Sequence, residues 1–439
     1  MRRHLVIPAV LCAVLPGTLM AQRGKVNCDP ESGGLKLPAG FCATLFADSV
    51  QGARSMVVLP NGDVFVSRNS RSNGIIMLRD ADRDGHAETR AEFVSGFLVS
   101  QLAVFENHLY ADALPLRPPQ GAPPRVASIL RYPLKAGELT HAGPPDTVVA
   151  GLPGDPGHNT RNFVITRAGA MYVNIGSATN NCQAQDRAKG QPGTDPCTEL
   201  ETRAGIWQFD ARKKSQKQSE AVHFARGIRN AVGMALNPAD GGLWTTQHGR
   251  DDLGSWFKQL GMDSVAAIKY NAETPAEELF QVNKGDDFGW PYCYFDPAQK
   301  KKLRAPEYGG NAKSTERCAD KKSNVAFFPG HWAPNALMFY TGTMFPAKYR
   351  SGVFIAFHGS WNRSPMPQTG YNVTFQPVAS GKAAGAFEVF AQGFAGKDPL
   401  MNPGDAVYRP DGVIQGPDGS LFIGDSQKGR IWRVIYKGK

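Results

Sequence analysis

Short runs in which apolar and β-branched residues alternate, each entered through a turn bearing glycine or asparagine, recur along almost the whole chain. The first three read Pro60-Asn61-Gly62-Asp63-Val64-Phe65-Val66, Asn107-His108-Leu109-Tyr110 and Ala168-Gly169-Ala170-Met171-Tyr172-Val173. The next three are Asp240-Gly241-Gly242-Leu243-Trp244, Ser351-Gly352-Val353-Phe354-Ile355 and Pro417-Asp418-Gly419-Ser420-Leu421-Phe422-Ile423. Period-two alternation marks a strand, and Asn-Gly or Asp-Gly ahead of it supplies the positive φ of a tight hairpin. Partner strands follow at Gly74–Leu78, Ser128–Tyr132, Gly205–Phe209 and Gly429–Val434. Six such hairpins at irregular spacing predict an all-β fold, a six-bladed β-propeller whose long inter-blade insertions carry function. A two-sheet sandwich is the simpler alternative. The spacing widens between residues 245 and 350, where the largest insertions are expected.

Composition agrees with this reading. Among 439 residues are 48 Gly and 32 Pro, too many punctuators for a helical bundle. The N-terminus reads differently from the rest. Arg2 and Arg3 precede an apolar stretch from Leu5 to Met20 that ends at Leu19-Met20-Ala21. That is a signal peptide over residues 1–21, leaving 22–439 as a single propeller domain, periplasmic or secreted. No other apolar run reaches the length of a membrane span, so stable membrane insertion is not expected.

Export bears on the cysteines. Cys12 leaves with the leader, and six remain: Cys28, Cys42, Cys182, Cys197, Cys293 and Cys318. An even count in an oxidising compartment predicts three disulfides, and pairing sequence neighbours is the simplest of the possible connectivities: 28–42, 182–197 and 293–318. No C-x-x-C pair points to zinc, and no C-x-x-C-H to attached haem. The net charge of +10 is dispersed. Runs such as Arg212-Lys213-Lys214 and Lys300-Lys301-Lys302 read as solvated loops, so nucleic acid is not an expected partner, although anionic ligands are favoured. There is no G-x-G-x-x-G after a strand, no G-x-S-x-G and no H-E-x-x-H. Redox chemistry would therefore need another bound cofactor.

A family resemblance rests on ordered motifs. Gly157-His158-Asn159-Thr160-Arg161-Asn162 is followed by Gly176-Ser177 and Asn180, Arg226-Gly227-Ile228-Arg229-Asn230 with Gly233, and His248-Gly249-Arg250-Asp251. Then come Glu277-Glu278-Leu279, Gly289-Trp290-Pro291-Tyr292, Phe339-Tyr340-Thr341-Gly342 and His358-Gly359-Ser360-Trp361-Asn362-Arg363-Ser364-Pro365, with Arg409-Pro410 before the last hairpin. In these the chain resembles the glucose/sorbosone dehydrogenase family over roughly residues 35 to 436, most closely its sorbosone-type branch.

The resemblance implies an exported six-bladed propeller that oxidises a sugar or sugar aldehyde with pyrroloquinoline quinone (PQQ) and calcium, and hands electrons to an external cytochrome or quinone. It assigns His158 as general base, a role suited to an imidazole titrating near neutrality. Arg229 and Asn230 fall near the reacting quinone oxygen. Gln101, Asn362, Arg363 and Arg409 fall among the cofactor contacts, where arginine suits carboxylates. The calcium carbonyls map onto Gly249 and Arg250, with Asp251 as an added carboxylate. Glucose-oxidising relatives carry a carboxylate just before the histidine; here it is Gly157, which argues against glucose. The alternatives are a calcium-dependent lactonase and a binding propeller without cofactor.

A second calcium signal stands apart. Asp80-Ala81-Asp82-Arg83-Asp84-Gly85 is D-x-D-x-D-G, with Glu88 and Glu92 beyond it. Alternate carboxylates converge on one cation and the glycine allows the turn, although position twelve is Ala91 and no EF-hand helix is expected.

Overall fold

The computed structural model describes residues 26–116, 121–135 and 137–438. The signal-peptide reading of residues 1–21 falls outside them. Within them the chain forms a six-bladed β-propeller. The first blade runs Ala53–Val58, Val64–Asn69, Asn73–Arg79, Thr89–Val94, and the second Leu102–Phe105, His108–Pro115, Val126–Pro133, Asp146–Pro153. The third is Phe163–Ile165, Ala170–Ile175, Gly205–Asp210, Val222–Arg226, and the fourth Ala231–Leu236, Leu243–Gln247, Glu277–Val282, Ala326–Phe328. The fifth is Pro334–Phe339, Gly352–His358, Tyr371–Ala379, Glu388–Ala391. The sixth takes Pro410–Gln415, Leu421–Asp425 and Ile431–Tyr436 from the C-terminal end, and its outer strand, Phe41–Ala47, from the N-terminal part of the chain. Innermost strands touch in sequence order, and that of the first blade also touches that of the last, so the ring is closed.

Each of the six runs becomes the second strand of a blade. The four partner runs become third strands. Alternation works because a blade is covered on both faces, so odd and even positions face different neighbours. Phe65, Ile75 and Met77 pack with Leu102, Leu109 and Tyr132 of the second blade, whereas Val64, Val66 and Ile76 pack with Phe46, Phe422 and Ile431 of the sixth. Tyr110 between Leu109 and Ala111 likewise turns to Phe163, Met171 and Trp207 of the third blade. One apolar cluster fills each junction between blades, and Phe65→Ala would cost about 3–5 kcal/mol at such a site.

Two long insertions, one of them the longest between strands of a blade, interrupt the fourth blade, as the spacing predicts. One contains the helix Ser264–Glu273, whose first turn is capped by the Asp263 carboxylate accepting from Ala266 N at 2.8 Å. The other contains the hairpin Cys293–Asp296 with Lys301–Arg304. Tyr270 of the helix donates to Asp296 of the hairpin at 3.0 Å, tying the two insertions together. All three neighbour-paired disulfides are present: Cys28–Cys42, Cys182–Cys197 and Cys293–Cys318. No helix among the described residues is long and apolar enough to cross a membrane.

Candidate active site

Connections from a fourth strand to the next blade, and from second to third strands, all lie at one end of an antiparallel propeller. His158, Arg229 and His331 sit on the first kind of connection; Asn180, Arg187, His248–Asp251 and Trp361–Asn362 sit on the second. Topology thus brings together residues up to some two hundred positions apart. They enclose a cavity of about 200 Å³ lined by His158, Arg187, Arg229, His248, Asp251 and Asn362, with Glu277, His331 and Trp361 completing the wall.

His158 is held in one tautomer. Its Nδ1 lies 3.0 Å from both Ser177 O and Ser177 Oγ, and since that hydroxyl donates to Thr179 O, the imidazole nitrogen is the donor. Nε2 is left with its lone pair. Burial and the nearby Arg229 charge push the His158 pKa well below 6.5, so the ring stays neutral. Behind it, buried Arg161 donates to His158 O at 2.8 Å and Thr160 O at 2.7 Å, locking the loop. Gly157 has φ +81° and runs so close to Ser177 and Ala178 that a Cβ would stand 2.3 Å from Ala178 O. A carboxylate before the histidine has no room here.

Asp251 is the hub of the opposite wall. One of its oxygens accepts from Arg187 at 2.7 Å and Arg229 at 3.1 Å, the other from Asn362 at 2.5 Å. Burial alone would raise its pKa, but Arg229, His331 and Arg187 hold the carboxyl well below the usual range. Arg229 also donates to Asn180 O (3.2 Å), Asn180 Oδ1 (3.0 Å) and Gly249 O (3.0 Å). The Asn362 amide continues to His331 Nδ1 at 3.1 Å, whose Nε2 donates to Asn271 O at 2.7 Å. Asn362 Oδ1 is buried and has no partner, an acceptor free for a ligand N–H or O–H. Burial raises Glu277 to about 8 while its oxygens accept from Gly249 N and Ala333 N. Burial, with Arg229, lowers His248 to about 4.

Of the residues named from the sequence, His158, Arg229, Gly249, Asp251 and Asn362 meet in this cavity. The others do not line it. Asn230 lies behind the wall, its Oδ1 accepting from Asn174 at 3.3 Å. Arg250 turns its side chain away to a fully buried pair with Glu307. Gln101 lines a separate axial cavity with Arg54, Asn162 and Asp411. Arg363 is bonded to Pro367 O, Ala272 O and the Glu273 carboxylate, outside the cavity wall. Arg409 donates to His358 O at 3.1 Å and Gly359 O at 2.7 Å and stacks over Tyr371. Asp80, Asp82 and Asp84 form a separate cluster with Glu88; Glu92 instead pairs with Arg68. Sequence reasoning gave no role to Arg187, Trp361 or His331. The one signal for Arg187 is its place inside the Cys182–Cys197 loop, where a cross-link holds a charged segment over the site.

The donor set fits a planar polyanion. Two guanidinium groups, the Trp361 ring (57% exposed at the rim) and a free amide oxygen surround one cavity. It is less ready for calcium, because Gly249 O and both Asp251 oxygens already accept from cationic or amide donors.

A family model described as TrAA12-like matches residues 35–437. An uncharacterized protein of Borreliella burgdorferi is 31% identical over 222 residues, 50% of this chain and 50% of its own. A pyrroloquinoline quinone-dependent sugar dehydrogenase of Hypocrea jecorina is 27% identical over 225 residues, 47% of this chain and 46% of its own. The chain spans about half the length of the curated relatives it matches. The calcium structure of a Trichoderma reesei Carbohydrate-Active Enzymes Family AA12 protein superposes with a TM-score of 0.73 at 18% identity, over 95% of this chain and 99% of that one, a likeness of fold.

Proposed function

The chain belongs to the TrAA12-like family, and from that premise we propose that it is an exported PQQ-dependent dehydrogenase of sugars or sugar aldehydes. The observation that carries the reading is the single cavity in which a neutral imidazole with a free Nε2 shares the wall with a buried guanidinium anchored by a carboxylate. A base and a fixed positive charge are what removal of a hydroxyl proton with concurrent hydride loss requires.

PQQ, when bound, supplies the two-electron acceptor. Arg187 and Arg229 would hold its carboxylates and Trp361 would lie against a ring. His158 Nε2 takes the substrate hydroxyl proton, and the Nδ1 bond to Ser177 keeps the lone pair aimed during transfer. Arg229 stabilises negative charge developing at the reacting oxygen, and Asp251 fixes its orientation from behind. Asn362 Oδ1 accepts from a ligand donor. A calcium ion at Gly249 O and Asp251 requires Arg229 to release its bond to that carbonyl. Three disulfides support export, and an external cytochrome or quinone would take the electrons.

Reconstitution tests the reading. Chelator-treated protein supplied with PQQ and calcium should gain quinone absorbance and reduce a dye with an aldose or sugar aldehyde. No PQQ binding, or lactone hydrolysis without it, would sink the proposal.

A further inference from the structure

The D-x-D-x-D-G loop joins the third and fourth strands of the first blade, at the end of the propeller opposite the candidate active site. Its carboxylates from Asp80, Asp82, Asp84 and Glu88 each place an oxygen within 4.8 Å of the others. A second observation points to a missing cation. The Asp80 side chain is only 8% exposed, and while its Oδ2 accepts from Gly85 N at 3.0 Å and Arg433 at 3.2 Å, its Oδ1 is sealed from water with no donor at all. Arg433 pairs with one oxygen of this carboxylate, but the other, buried amid three further carboxylates, is an unsatisfied acceptor of the kind a cation fills.

The loop is also fastened to the seam of the ring. His86 Nδ1 lies 2.8 Å from Leu45 O, Ala87 N donates to Phe46 O at 2.8 Å, and Arg433 reaches Asp80 from the last strand. Leu45 and Phe46 belong to the N-terminal strand that completes the sixth blade, and Cys28–Cys42 tethers that strand too. Gly85 packs so tightly on Thr44 and Val26 that no side chain fits.

We propose that Asp80, Asp82, Asp84 and Glu88 bind one structural calcium ion that clamps the first blade to the sixth and so secures closure of the ring, independently of any cofactor. Oxygen-only ligands on an irregular loop suit calcium better than magnesium, which needs near-ideal octahedral geometry. The alternate aspartates supply the monodentate ligands and Glu88 takes the place of the absent acid at position twelve.

The test uses chelator-treated, PQQ-free full-length protein, titrated with calcium chloride by calorimetry and followed by thermal unfolding. One ion should bind, and calcium a hundredfold above its dissociation constant should raise Tm by about 3 °C for a chain of this size. Asp82→Asn with Asp84→Asn should abolish both effects, while Asp251→Asn in the cavity should retain them. The asparagines keep the main-chain bonds that Asp82 and Asp84 accept, so the double variant should unfold near the calcium-free wild-type temperature. Absence of binding up to about 10 mM, well above the range of weak extracellular sites, overturns the proposal. So does binding that survives in the double variant. An equal Tm rise with magnesium alone overturns the choice of calcium.

Discussion

Replacing His158 by glutamine removes the basic lone pair and leaves a neutral polar side chain in its place. A positioned general base is worth roughly 100- to 10,000-fold in turnover, so His158→Gln and His158→Ala should both lose about 100-fold or more, near 2.7 kcal/mol at the lower bound. Ser177→Ala provides the internal scale. It deletes one of the two acceptors 3.0 Å from Nδ1 and leaves the backbone carbonyl, so a neutral hydrogen bond of about 0.5–1.5 kcal/mol limits its effect to roughly tenfold. The pH profile adds a second handle. Burial and the Arg229 charge disfavour the imidazolium, so the base form survives below pH 6.5 and the acid limb of kcat/KM should lie on the acid side of that value. The assay is dye reduction with PQQ-saturated protein, with cofactor binding followed separately by absorbance. Turnover within threefold of wild type in either His158 variant, with PQQ bound, refutes the role; so does a Ser177→Ala loss as large as that of His158→Ala.

Arg229→Ala should weaken PQQ binding by about 2–5 kcal/mol, whereas Arg363→Ala and Arg409→Ala should shift it by no more than about 1 kcal/mol, because both side chains are bonded to backbone carbonyls away from the cavity; equal losses in a titration of the apoprotein would contradict this placement. Thiol titration of denatured, unreduced protein spanning residues 22–439 should find no free thiol, and reduction should lower Tm, each loop of 14, 15 or 25 residues contributing about 3 kcal/mol. Burial pushes His358 down to about 3, so between pH 6.5 and that value the unfolded chain binds the extra proton and stability falls with acidification. Asp112, raised to about 6 by burial, acts in the opposite sense over part of that range, so the reading is the difference: His358→Gln should flatten the decline in Tm below pH 6.5, and parallel curves would show that the imidazole does not govern it.

Much of this protein is local, and what is local could be read directly. Each second strand carries its own turn and alternation, as in Asn61-Gly62 before Val64-Phe65-Val66, so hairpin number and fold class followed from residues a few positions apart. Disulfide partners separated by 14, 15 and 25 residues were within reach for the same reason. The third strands of the fourth and fifth blades, Glu277–Val282 and Tyr371–Ala379, were not read as strands from the sequence. The closing strand Phe41–Ala47 escaped too, since its partner Ile431–Tyr436 lies at the far end of the chain. The site divided along the same line. His158, Arg229, Asp251 and Asn362 were legible as motifs, but their common wall exists only because four blades, the second to the fifth, aim their connections at one end. Arg363 shows the converse: a guanidinium reads as an anion ligand anywhere in a sequence, and only packing reveals that Glu273 already holds this one. Direction of a side chain, and the partner that already occupies it, are properties of the folded neighbourhood, and no run of adjacent residues encodes them.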